Sequence, residues 1–353
     1  MRVPSTIILL SLSATGAAAQ QPERYTLAGS DVAIYNLAGA VTVEPGSALT
    51  VTLTRGGAAA ARLTVQQDEI DGRETLRVRY PADRVVYGGL QRGSSTELRV
   101  REDGTFGDGD GHHDDDDDGR GRRVRVSGSG EGLEAHADLR IQVPAGREVA
   151  IYLAVGKVAV ANVDGRLHLD AHSAPVTATG TRGELRVDVG SGTVNVSGAE
   201  GVLAIDTGSG TVEVSRFRGT QLIVDTGSGE VTATDIQARE LVIETGSGDI
   251  RVSGATAPTV TLETGSGGVT ADLRAEIATL TVETGSGNIA VTAPGSLGAE
   301  LEIETSSGDI ETDFPLQVTR HSRDHLVGRI GDGQGRIEIE TGSGDVRLLK
   351  RTS

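Results

Sequence analysis

The residues of this chain whose spacing could do chemistry are acids. Asp188, Asp206, Asp225, Glu244, Glu263, Glu283, Glu304 and Glu340 each stand directly before a Gly/Ser-rich turn, and Glu230, Asp249, Asp309 and Asp345 form a patchier set just after it. If successive turns stack at the ~4.8 Å strand spacing, neighbouring carboxylates repel by about 0.9 kcal/mol even in bulk water. Two readings follow: weak, distributed Ca²⁺ binding that relieves the repulsion, or solvated acids that keep a long β protein soluble. A second acidic feature, Asp114, Asp116, Asp118 and Gly119, opens like a calcium loop. The twelfth position that should carry a bidentate acid is Arg125 instead. His112 and His113 stand beside that run, and His168 with His172, and His321 with His325, have a four-residue spacing that aligns ligands on a helix but not on a strand. No nucleophile elbow, H-E-x-x-H or phosphate-binding loop is present, so the expectation is a chain that is not an enzyme, with no catalytic, cofactor-binding or metal site residues assigned and no cofactor beyond a weak possibility of Ca²⁺.

The acids are positioned by a repeat. T-G-S-G recurs at Thr207–Gly210, Thr226–Gly229, Thr245–Gly248, Thr264–Gly267, Thr284–Gly287 and Thr341–Gly344, with variants at Val189–Gly192 and Thr305–Gly308. The first glycines, Gly190, Gly208, Gly227, Gly246, Gly265 and Gly285, are 18, 19, 19, 19 and 20 residues apart. Asp170-Ala171-His172-Ser173 extends the series backwards, with Val176 matching Val194, and Ala154 to Val158 opens it. The gap of 36 residues between Ser306 and Gly342 equals two units, which predicts one degenerate unit around His321 to Arg329.

Within a unit such as Leu241 to Val252, alternate residues are apolar on both sides of the glycines, so Leu241, Ile243, Ile250 and Val252 should point inward. Four buried aliphatics contribute roughly 1.5 to 3 kcal/mol each, against about 1 to 2 kcal/mol per ordered residue. One unit cannot fold alone and must stack. The predicted fold is all-β: a single-chain, flattened parallel β-solenoid of about eleven coils of 18–20 residues, with a less regular β-rich N-terminal region. An array of antiparallel hairpins is the structural alternative.

Outside the repeat, residues 1–19 read as a secretory signal: Arg2, the apolar run Ile7 to Leu12, and Ala17-Ala18-Ala19 before Gln20. Residues 20–103 read as an irregular β-rich capping region, in which Asp31 to Val43 resembles a worn-down coil. Residues 104–132 read as an acidic Gly/Asp-rich disordered insertion, and 133–353 as the solenoid domain. Fifty glycines in 353 residues, about twice average usage, with three Phe, five Tyr and no Trp, exclude a large aromatic core. A net charge of -17 repels phosphate backbones, so no nucleic-acid partner is expected. No segment is long and apolar enough for a membrane span. The absence of cysteine permits either redox compartment.

The leader, the segment Leu139-Arg140-Ile141-Gln142-Val143-Pro144-Ala145-Gly146 and the T-G-S-G-D-I units together resemble the bacterial "putative-adhesin" β-strand-repeat family, a domain of unknown function. The resemblance spans about residues 135 to 349 and, more weakly, 25 to 80. It implies an extracytoplasmic protein, periplasmic or secreted, that is adhesin-like or an envelope scaffold with an envelope protein or surface polysaccharide as partner. It carries no catalytic residues. The alternative is a carbohydrate-active β-helix enzyme, a lyase or hydrolase.

Overall fold

A computed structural model describes residues 21–107 and 121–351. The chain is all-β; the one helical segment among the described residues is the short 3-10 turn Ala60–Arg62. Among those residues no helix is long and apolar enough to cross a membrane. Residues 1–19, read as a leader, lie outside the described residues.

The two strands of a repeat unit pair with their equivalents in neighbouring units and not with each other. Glu240–Ser247 lies in parallel between Val212–Thr226 and Thr259–Ser266, in register Gln221↔Glu240↔Thr259. Ile250–Ala255 lies in the same way between Val231–Gln237 and Val269–Leu273. This arrangement excludes the hairpin array and makes the fold solenoid-like, with two parallel ladders facing across a narrow core. The period-two pattern explains the core: Leu241, Ile243, Ile250 and Val252 are all buried. In-register stacking turns each inward position into an aliphatic column, such as Leu167, Leu185, Leu203, Leu222, Leu241, Val260 and Leu280. Branched aliphatics fill so thin a layer without large rings, which accounts for the scarcity of aromatics.

The T-G-S-G phrase holds the coils together. Its threonine is buried at every occurrence. Thr264 Oγ1 donates to the carbonyl of Gly248 at 3.0 Å, and Thr284 to that of Gly267 at 3.0 Å, so these two hydroxyls tie their turns to the preceding coil, while Thr207 and Thr226 donate to Ser209 and Ser228 within their own turns. The glycines are required by proximity. A Cβ on Gly248, where φ is +139°, would lie 2.2 Å from the Gly229 carbonyl oxygen, and one on Gly246 would lie 2.5 Å from that of Gly227.

At the N-terminal end Val32–Pro45 is a complete coil, pairing in register with Arg147–Ala161 along both ladders, as the worn-down repeat at Asp31 to Val43 suggested. The first ladder continues outward through Arg73–Arg79 to Thr64–Ile70, and the second through His136–Val143 and Thr50–Gly56 to Glu23–Thr26. A small separate sheet contains Arg84–Val86, Ser95–Val100, Arg122–Ser127 and Leu133–Glu134. The expected disordered insertion over 104–132 is therefore corrected at both ends. Thr105 and Phe106 are buried, and Arg122–Ser127 is a strand whose Val124 and Val126 are fully buried. The alternating R-V-R-V pattern builds that strand, and the surrounding Gly/Asp composition obscures it. The Asp run with His112, His113 and the calcium-loop match up to Gly119 lies outside the described residues.

The C-terminal end overturns a second expectation. The segment around His321 to Arg329 is no degenerate coil but an antiparallel hairpin, Leu316–His321 with His325–Ile330, laid antiparallel on Ala299–Thr305. The last unit, Gly335–Thr341 with Val346–Lys350, inserts between Thr279–Thr284/Ile289–Ala293 on one side and Ala299–Thr305/Ile310–Thr312 on the other. The threonine bonds follow this spatial order: Thr341 Oγ1 donates to Gly287 and Thr305 Oγ1 to Gly344, each at 3.1 Å.

Candidate functional site

The first acidic set becomes a true column because register is kept across every junction. Asp170, Asp188, Asp206, Asp225, Glu244, Glu263, Glu283, Glu340 and Glu304 follow one another in space on the outer face of the first ladder. From Asp206 onward each acid is the outward residue directly before a buried threonine, whereas Asp170 and Asp188 precede buried Ala171 and Val189. In the six T-G-S-G units the next position is the first glycine of the turn, which has no side chain, so their carboxylates wall a trough floored by glycine; His172 and Ser306 take that place after Asp170 and Glu304. Asp225, Glu244, Glu263, Glu283 and Glu340 line this groove with Gly246, Gly265, Gly285 and Gly342, and it encloses about 520 Å³. Glu263 lies at its middle. Partial desolvation, then repulsion from Glu244 and Glu283, pushes its carboxyl above the ordinary carboxylate value.

The patchier acids behave differently. Asp249 Oδ1 accepts the backbone N–H of Gly268 at 2.8 Å, and Asp345 Oδ1 accepts that of Asp309 at 3.1 Å. Asn288 takes the same role between them, its Oδ1 accepting the N–H of Asp345 at 2.9 Å. Arg251 bridges Glu230 and Asp249. These side chains stitch one turn to the next, and their charge is largely used within the protein. Among the described residues no group of three or more His, Cys, Asp or Glu is arranged to hold a metal ion.

The histidine pairs do not converge. His168 sits on the outer face between buried Leu167 and Leu169, with its ring 6.0 Å from that of Tyr152, while His172 is exposed. His321 and His325 fall on opposite strands of the terminal hairpin, and His325 Nε2 lies 3.1 Å from Glu302 Oε1.

Sequence reasoning missed the start of the acid column. Tyr152 precedes Asp170 in register and Tyr35 precedes Tyr152; their rings stack at 4.3 Å and 4°. Phe106 packs edge-on against Tyr35 at 5.6 Å, and burial, with Tyr152 next, pushes the Tyr35 phenol far above its ordinary value. The matching Ile34-Tyr35 and Ile151-Tyr152 dipeptides were the available signal. The outer face thus changes along the axis from a part-buried aromatic stack to a line of carboxylates. Such a face can hydrogen-bond hydroxyl groups and attract cations along its length, and every carboxylate in it occupies the same repeat position.

The profile of the family described as Toastrack DUF4097 matches residues 149–349. No curated protein matches the chain. Among solved structures, a "putative cell adhesion protein" of Clostridium sporogenes is similar at 9% identity and TM-score 0.19, covering 94% of this chain and 99% of its own. A "putative adhesin" of Bacteroides fragilis is similar at 11% identity and TM-score 0.31, covering 94% and 96%. A "putative adhesin" of Parabacteroides merdae is similar at 12% identity and TM-score 0.26, covering 96% and 98%.

Proposed function

The chain belongs to the Toastrack DUF4097 family, and from that premise we propose that it is a non-enzymatic, extracytoplasmic β-repeat protein that presents repeated polar faces to an envelope protein or surface polysaccharide. In this reading about eleven coils, from Val32–Pro45 to Ile310–Thr312, make one binding scaffold capped by the irregular N-terminal strands. The observation that carries the reading is the in-register column from Asp170 to Glu304. Identical side chains at one strand spacing offer many weak, equivalent contacts, and repetition raises avidity without a deep pocket. An enzyme would instead concentrate its chemistry in a few unlike residues.

The test incubates purified protein with bacterial envelope fractions and polysaccharides and scores retention together with product release. Retention that weakens gradually as column acids are replaced by Gln or Asn supports the proposal. Release of oligosaccharides, abolished by one or two substitutions, would replace it with the carbohydrate-active enzyme.

A further inference from the structure

The sheet that carries the acid column ends, in both directions along the axis, on a strand with one paired side. At one end Thr64–Ile70 pairs with Arg73–Arg79, and at the other Leu316–His321 pairs with His325–Ile330; among the described residues neither has a partner on its outer side. The second ladder is open in the same way, ending on Glu23–Thr26 and Ile310–Thr312. Open strand edges template the addition of further strands.

The two ends of the first ladder differ in charge. Thr64–Ile70 exposes Gln66, Gln67, Asp68 and Glu69, of which Asp68 is ion-paired with Arg77 of the neighbouring strand and Glu69 is in no ion pair among the described residues. Leu316–His321 exposes Arg320 and His321, and the turn that follows exposes Arg323 beside Asp324, leaving a net positive end on a chain whose net charge is -17. Val318, in the middle of that basic strand, is the one exposed large hydrophobic side chain among the described residues, at 54%. Strand direction also matches. Thr64–Ile70 runs antiparallel to the coil strands, and Leu316–His321, reached through two antiparallel steps from Ala299–Thr305, runs parallel to them. Translating one molecule along its axis onto the next therefore brings these strands together in the antiparallel sense. Joining two basic ends, or two acidic ends, would set like charges across the strand pair, which disfavours a two-fold arrangement.

We propose that the acidic edge Thr64–Ile70 of one molecule docks the basic edge Leu316–His321 of a second copy of this chain, joining the solenoids head to tail into a filament. Such a contact is heterologous and repeats without closing. Repulsion between the acidic bodies is screened over about 8 Å at physiological salt, whereas the opposed end charges meet at strand distance. The acid columns of successive molecules then extend one line along the filament.

Sedimentation velocity and negative-stain microscopy of the full chain over a concentration series test this. The expected result is rods one solenoid wide whose length and sedimentation coefficient grow with concentration. A head-reversed variant, Arg320→Glu with Arg323→Glu, and a tail-reversed variant, Gln66→Arg with Glu69→Arg, should each remain monomeric, because each carries the same sign of charge at both ends. Their mixture should recover rods, since every junction is again acid against base, and misfolded variants could not recover this way. A wild-type chain that is monomeric throughout overturns the proposal. So does a closed two-fold dimer, a variant that assembles like the wild type, or a mixture that stays monomeric.

Discussion

At the scale of single residues, the motif that could have been mistaken for a ligand site is mainly structural. Replacing Thr264 with Val keeps the shape but removes the donor to Gly248; the expected loss is about 1 kcal/mol, read from reversible thermal melts. Gly248→Ala should cost more, since its Cβ would collide with the Gly229 carbonyl in a conformation that alone costs about 1–3 kcal/mol for a side-chain-bearing residue. If the alanine variant melts no lower than the valine variant, close turn stacking is not what the glycines serve. Glu263 gives a pH prediction. Its folded value is raised above the ordinary 4.5 by desolvation and then by Glu244 and Glu283, so between the two values the folded state binds more protons than the unfolded one. Stability contributed at this position therefore falls as pH rises through that window and stays low above it. Glu263→Gln should melt higher than the wild type at neutral pH, and the difference should vanish below the window; a variant destabilised at neutral pH would mean that the carboxylate has a stabilising partner.

At the scale of elements, the inserted last unit has the clearest consequence. Because Gly335–Thr341 separates Thr279–Thr284 from Ala299–Thr305, truncation after Gly331 removes an interior layer and not an end. The segment from Ala299 to Ile330 would lose its parallel partners, while the coils from Arg147 to Ala293 would keep their ladders. Limited proteolysis of the truncated chain should cleave within 295–331 and spare the coils before it. Protection of 295–331 would require those strands to pair directly with the preceding coil.

At the scale of the whole molecule, the stack behaves as a one-dimensional array in which each coil contacts its neighbours. Glu240 and Thr259 occupy equivalent positions, 259 − 240 = 19 residues apart. Deleting Glu240–Pro258 removes one full coil and returns the next in register, so the shortened protein should still melt cooperatively, within several degrees of the original. Deleting only Ile250–Pro258 removes one ladder's strand and should abolish the transition. Equal damage from both deletions would show that stability resides in contacts beyond nearest neighbours.

The sequence by itself determined the coil. The alternation around Leu241 to Val252, the constant spacing and the Thr-Gly-Ser-Gly turns fix which residues are buried and which face outward, because these are local consequences of a period-two strand and a side-chain-free turn. The column from Asp188 to Glu283 was legible for the same reason. Only the tertiary structure decided the order of the last coils, the terminal hairpin and the junction of Tyr35 with Tyr152. One T-G-S-G coil can stack on any other, so periodicity cannot say which two become neighbours. The choice is made where the hairpin Leu316–Ile330 lies antiparallel on Ala299–Thr305 and leaves the other side of that strand to the last unit.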